Sequence, residues 1–529
     1  MQTVTEEYKA KSRQAIRPIT YKVLASFNKT YSSSTNFFTI GTSTIGGKDI
    51  IKGENTVIQE WDKYDYQDIS DRVLSIEYTR ESEPPIGAVT MAMADVVLDN
   101  HDGIFDPINQ SGPWYGRLGA GRPFRLYMGF TGAEQIQMFI GLSEGVPVID
   151  EKNKTVRFHL LDFIKALQGT KLNESIITVT QRTDQVISTV LQAAGLSTSQ
   201  FSLDTGSVVI PFAYFPKDSD VGKILKDITQ AELGGLYMDE NGLIRFENRI
   251  NWASHTNVWE FTEDNVIDMS SPDATKVINS VEIKSDARSL QDLQKVYISG
   301  GALKFTDGSN TLAVGETKEA FVDFKDEDSN DLPVTGVVTP TSGTINTSGF
   351  DGNTAEDGSG TSVTLTLASI SKFSTAVKLS FTNAGTKTAY VSRLELWGYP
   401  APITNRVYAL VEDSTSIDQY EVQRVSIENN YIQDDSAANS IGAIIINERK
   451  QIGAERTMVI KGVPQLQVGD RVSYSSPSIN ETYYVNKISG ILNLSDGFKQ
   501  TIDVGKRTIQ KFFTIGVSTI GSSTDVIAP

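Results

Sequence analysis

Apolar and polar residues alternate with period two through much of the first third of the chain. Phe124, Leu126, Met128 and Phe130 are separated by Arg125, Tyr127 and Gly129, and Val156, Phe158 and Leu160 by Arg157 and His159. That spacing predicts half-buried strands, and the polar run Asp150 to Lys154 supplies a turn before the second of them. The pattern then changes to period 3.6. Val186, Ile187, Val190, Leu191 and Ala194 share one helical face, with Thr183 as the expected cap and Gly195 as the stop. Val221, Ile224, Leu225 and Ile228 form a second such face, capped by Ser219 and ended by Gly234-Gly235. Asn241-Gly242 between two apolar runs predicts a hairpin in which both turn residues take positive φ. From about 300 to 400 Ser, Thr, Gly and Asp dominate around short alternating runs such as Ser362–Ser369 and Ala376–Asn383, as in a β-sandwich. After Pro400 and Pro402 a helix from about Ser436 to Gln451 carries Ile441, Ile444, Ile445 and Glu448, and strands follow around the turn Gly469-Asp470.

These patterns predict a mainly β protein with α+β parts: two β-barrel-like domains flanking a small α+β domain, plus an inserted β-sandwich. The expected divisions are a helical lead-in at 1–20, a first barrel at 21–172 with an insertion at 37–50, an α+β domain at 173–255 and a linking β segment at 256–300. The inserted sandwich follows at 301–402, the second barrel at 403–510 and a tail at 511–529.

Composition narrows the function. At 529 residues and 39% hydrophobic, the chain can bury several cores. Its formal charge of −17 lacks the basic footprint of a general nucleic-acid binder. The absence of Cys removes disulfides and thiolate chemistry and fits assembly in a reducing cytoplasm. The first residues show no apolar leader, and no run approaches 18 apolar residues, so neither a secretory signal nor a membrane span is expected.

Recognisable chemistry is sparse. Gly41 to Lys48 echoes a phosphate-binding loop, but Gly47 pushes Lys48 out of register and Asp49 stands where a magnesium-binding hydroxyl belongs. The three histidines, His101, His159 and His255, form no zinc signature. Neither Ser43 nor Ser518 sits in a nucleophile elbow. A pair of carboxyls for glycoside hydrolysis has no fixed spacing, so 65 acidic residues say nothing specific about it. Asp326, Asp328 and Asn330 match the first positions of a calcium loop, but Asp331 and Val337 break the pattern, and Phe350–Gly360 is a second acidic loop; both read as solvated turns. No enzyme activity, cofactor or metal is expected. Trp397 and Tyr399 are candidates for stacking on a sugar ring, or for closing a core or an interface.

Several segments, taken in order, resemble the bacteriophage tail hub or minor tail protein family, the tail-tip and baseplate-hub-like proteins. They are DRVLSIEYTRESEPP (Asp71–Pro85), MAMADVVLDNHDGIFDP (Met91–Pro107), AELGGLYMDENGLIRFENR (Ala231–Arg249), KGVPQLQVGDRVSY (Lys461–Tyr474) and SDGFKQTIDV (Ser495–Val504). The resemblance covers about 70–300 and 403–505. It implies a virion structural protein at the tail tip, assembled in the host cytoplasm. Three chains cap the tail tube or a distal tail protein, each giving two related barrels to a sixfold partner. Fibres or other tip proteins attach, and DNA leaves through the central channel without specific binding, past an acidic wall that would not hold phosphates. The alternative reading is a receptor-binding adhesin that recognises host-surface carbohydrate through the inserted sandwich; a cell-wall hydrolase is a third.

The chain departs from the simplest hub pattern in its inserted sandwich, its N-terminal extension and a repeated phrase. FFTIGTSTIG (Phe37–Gly46) returns as FFTIGVSTIG (Phe512–Gly521). Phe37, Phe38, Ile40 and Ile45, with Phe512, Phe513, Ile515 and Ile520, favour strands that glycines interrupt. Such arms could clip onto neighbouring subunits by strand addition, or complete their own barrels.

Overall fold

The structure, a computed structural model, describes residues 1–14, 17–27, 61, 64–82, 88–271, 273–493, 497–507, 511–512 and 525–526. The mainly β class with helices holds: strands of seven sheets outweigh short helices. Among the described residues no sheet closes into a barrel. Strands of both expected barrels instead join one open 14-stranded sheet. The reason lies at one seam. Val73–Glu81, which would need a closing partner within its own unit, pairs antiparallel with Asn480–Asn493, from Ser75↔Asn493 to Glu81↔Lys487. An edge strand carries unpaired N–H and C=O groups, and here the edge of the first unit finds its partners on the second.

From the seam the ladder runs one way through Met91–Asp99, Thr155–Leu161, Gln135–Ser143, Pro123–Phe130 and Ile19–Ala25, and the other way through Gly497–Gly505 and Glu455–Lys461. The first part of Asn480–Asn493 also pairs with Arg471–Ser475, which takes Asn257–Thr262 on its far side in parallel. One apolar core serves both halves and includes Ile76, Tyr78, Phe124, Phe158, Trp259, Met458, Ile488 and Ile502. At the seam, Gln500 Nε2 donates to the buried Tyr78 hydroxyl at 2.7 Å. The helix Glu6–Ser12, capped by the Thr5 hydroxyl, sets Tyr8 edge-on to Phe130 at 5.0 Å.

The period-3.6 segments are the helices Thr183–Ala193 and Val221–Glu232, packed with the strands Ile176–Arg182, Val209–Phe215, Gly235–Met238 and Ile244–Glu247 around a second core. Their caps differ from expectation. Thr183 is already helical and its hydroxyl donates to buried Glu232, while the Gln185 side chain accepts from the Arg182 N–H at 3.0 Å. Asp220, not Ser219, caps the next helix, accepting from Lys223 N at 2.9 Å. In the hairpin only Gly242 takes positive φ, +84°; Asp239 organises the turn by accepting from Asn241 N and Leu243 N at 3.0 and 2.9 Å.

Ser280–Arg288 pairs antiparallel with Ile403–Glu412 and parallel with Arg424–Glu428, and the helix Asp435–Arg449 packs on this sheet through Ile441, Ile444 and Ile445. The strands that flank the Ser/Thr-rich stretch are therefore direct neighbours. Between them, a six-stranded and a three-stranded sheet enclose one core of Phe305, Phe324, Phe350, Leu379, Phe381, Leu394 and Leu396. Among the described residues no helix is long and apolar enough to cross a membrane.

Candidate functional site

The best-formed cavity, about 280 Å³, lies where three parts of the chain meet. Arg80 and Ala92 come from the two strands next to the seam, Asp162 from the start of the helix Phe163–Leu167, Tyr237 and Glu247 from the α+β hairpin, and Gln467 and Asp470 from the turn before Arg471–Ser475. His255 completes the wall from the link between the helix Arg249–Ala253 and the strand Asn257–Thr262.

His255 fixes the electrostatics. Its Nδ1 lies 2.9 Å from the Gly469 carbonyl and its Nε2 2.7 Å from Glu247 Oε2. A carbonyl only accepts, so Nδ1 carries a proton, and a carboxylate opposite Nε2 calls for a second. The Glu247 hydrogen bond is the main cause of a raised His255 pKa. Burial works against the charge of Glu247, but bonds from His255 and from the Tyr237 hydroxyl, 2.6 Å from Oε1, outweigh it and its pKa falls. Both ring nitrogens are thus engaged, and neither is free to serve a substrate as a base.

Asp162 is the second unusual group. Its carboxyl caps its helix by accepting from Lys165 N at 2.6 Å and also accepts from Ala92 N at 2.8 Å. Burial nevertheless pushes its pKa up to about 7. Burial likewise raises Asp470, which contacts the Met1 amino group. Behind the His255 wall, Arg507 is held 4.6 Å from the Trp252 ring centre and 5.3 Å from that of Tyr484. Burial lowers its pKa to about 10. Arg249 pairs with Glu448 at 3.1 Å and Arg449 with Glu455 at 2.8 Å in the same region.

The sequence candidates are dispersed. Phe37, Phe38, Ile40, Ile45, Phe513, Ile515 and Ile520 lie outside the described residues. Phe512 falls in a two-residue strand, Lys511–Phe512, parallel to Asp525–Val526. Trp397 is half-buried in Ala389–Pro400, and Tyr399, 39% exposed, lies against Gly336. The solvent-facing aromatic pair of this region is a different one. Phe321 and Phe373 are 54% and 50% exposed, with ring centres 6.4 Å apart and planes 21° from parallel. The alternation of Thr317–Asp323 places Phe321 on the outer face, a signal present in the sequence; the approach of Phe373 across the sheet was not. The calcium-like loop is a turn in which Asp326 accepts from Asp328 N and Asn330 N at 3.0 and 2.8 Å. Among the described residues no group of three or more His, Asp or Glu side chains could hold a metal ion.

No family model and no curated protein matches the chain. The solved structures to which it is similar include tail and baseplate proteins and a component of a type VI secretion system. They include the 43 kDa tail protein of prophage MuSo2 from Shewanella oneidensis, 12% identical, with 82% of this chain and 94% of that one covered and a TM-score of 0.41. A tail protein from Neisseria meningitidis MC58 is 8% identical over 84% of this chain and 94% of that one, with a TM-score of 0.42. A prophage tail protein from Listeria monocytogenes EGD-e is 8% identical over 85% and 94%, with a TM-score of 0.40.

Proposed function

We propose that this chain is a structural protein of a bacteriophage tail tip, a hub that assembles as a trimer on the tail tube and surrounds the path by which DNA leaves. One observation carries the reading. Four of the hub-like segments, far apart in sequence, converge on a single cavity: Arg80 from the first, Ala92 from the second, Tyr237 and Glu247 from the third, and Gln467 and Asp470 from the fourth. The fifth supplies all but the last residue of Gly497–Gly505, which pairs with the seam strand Asn480–Asn493. The resemblance therefore describes one spatial unit rather than scattered turns. In this reading the β strands on either side of the seam are the two related hub domains, and three chains present six of them to the tube. The acidic charge suits a lumen that DNA passes without adhering. Residues 301–402 are an outward module inserted between adjacent strands, and the two FFTIG arms, 37–50 and 511–529, clip neighbouring subunits or tip proteins. Light scattering of the purified full chain tests the assembly: a particle of three times 57.9 kDa is expected, and a strict monomer at all concentrations counts against it. Deleting 512–529 tests the arm; loss of the trimer, or of attachment to the next tip protein, is expected.

A second reading, recognition of host carbohydrate by the 301–402 module, is favoured by the solvent-facing Phe321 and Phe373. It predicts glycan-array binding by the full chain that Phe321→Ala abolishes and Trp397→Ala leaves in place; an array without signal removes it.

A further inference from the structure

We propose that His255 is a proton-operated clamp that joins the α+β hairpin to the second half of the large sheet. The geometry of the ring points to this independently of any role in a tail. The imidazole bridges two parts of the chain that are otherwise separate in sequence, Glu247 on the strand Ile244–Glu247 and Gly469 in the turn before Arg471–Ser475. Both ring nitrogens face acceptors, so both bonds exist only while the ring is doubly protonated. A neutral ring keeps one proton and must surrender one bond.

The surroundings make that surrender costly. From the hairpin, Glu247 and Tyr237 face the site; from the turn, Asp470; from the segment after Gly497–Gly505, Arg507; and Met1 contributes its amino group beside Asp470. Trp252 packs against the ring at 5.9 Å and also floors the turn, where a Cβ on Gly469 would lie 2.6 Å from its ring. The same turn is held by Gly469 N to Val485 O at 2.8 Å and Val485 N to Asp470 O at 2.9 Å. Losing the His255 bond thus frees one corner of a turn whose other corner is tied into the long strand Asn480–Asn493.

The sign follows from a raised histidine pKa. The clamp contributes fully below the unfolded value near 6.5 and is lost as pH rises through the higher folded value. The test uses the full chain. Imidazole ¹⁵N spectra, with three histidines to assign and His255→Gln to identify the signal, are followed from pH 5.5 to 9. Amide exchange at Gly469, Asp470 and Val485, corrected for its intrinsic pH dependence, is followed in parallel. The expected result is two protonated ring nitrogens at low pH, a midpoint above 6.5, and about tenfold faster exchange at those amides with the same midpoint. Glu247→Gln, which removes the main cause of the raised value, should lower the midpoint. Asp162→Asn, which removes a second group titrating on this cavity, should leave the step in place. A singly protonated ring at pH 5.5, exchange that ignores the His255 midpoint, or a step that vanishes in Asp162→Asn would each overturn the proposal.

Discussion

A carboxylic acid sealed from water resists ionisation, and Asp162 is sealed by the packing of its helix start against Met91–Asp99. Its pKa of about 7 lies far above the ordinary 3.8, so the folded state holds a proton that the unfolded chain gives up. Its contribution to stability therefore falls as pH rises from about 4 to 7, and stays low above that. Asp162→Asn removes this dependence. Between pH 5 and 8 the variant should gain on the wild type by about 2 to 3 kcal/mol, read as the difference of two urea titrations; an unchanged difference would mean that Asp162 is solvated. Gly469 is constrained in two ways, by its φ of +89° and by the Trp252 ring that a Cβ would strike. Gly469→Ala should cost about 2 kcal/mol or more, measured by thermal unfolding. The sequence marked Gly469 as a turn residue but not the ring beneath it, and Asp162 did not stand out at all. Asp162 is one acid among 65, and burial, which singles it out, depends on strands that meet only in the fold.

Among elements, the seam between Val73–Glu81 and Asn480–Asn493 decides the architecture. Period-two alternation fixes which face of a strand is buried, but not which strand lies beside it. The alternations at Phe124–Phe130 and Val156–Leu160 therefore announced strands correctly, while closure into two barrels did not follow from them. The helices were legible for a related reason: a face at 3.6 spacing is a local property, and Val186 to Leu191 are fully buried on it. The caps were less so, because Ser219 and Asp220, or Thr183 and Gln185, compete on equal terms until the backbone is in place. The cavity was illegible as a site, although the segments that line it were recognisable one by one. Gly490→Ala probes the seam. A Cβ there would lie 2.3 Å from Tyr78 Cε1, and the ring is locked by Gln500, so the substitution should destabilise the chain by about 1 to 3 kcal/mol. A urea midpoint equal to that of the wild type would show that the strands are not packed face to face at this point.

For the whole molecule, the large sheet, the α+β unit and the helix-backed sheet of Ser280–Arg288 share cores and ion pairs, while the Ser/Thr-rich module carries a core of its own between neighbouring strands. Such a layout lets the module vary without disturbing the junction. Deleting 291–400, which removes the module together with its first strand Gln294–Ile298, and rejoining Ser280–Arg288 to Ile403–Glu412 should leave the junction intact, checked by an unchanged His255 ¹⁵N signal; loss of that signal would show that the module supports the junction. The most direct measurement is electron microscopy of the purified full chain, with particle averages examined for symmetry. A three-fold ring with a central opening is expected of the trimeric hub; an elongated single chain ending in a distal knob would contradict it.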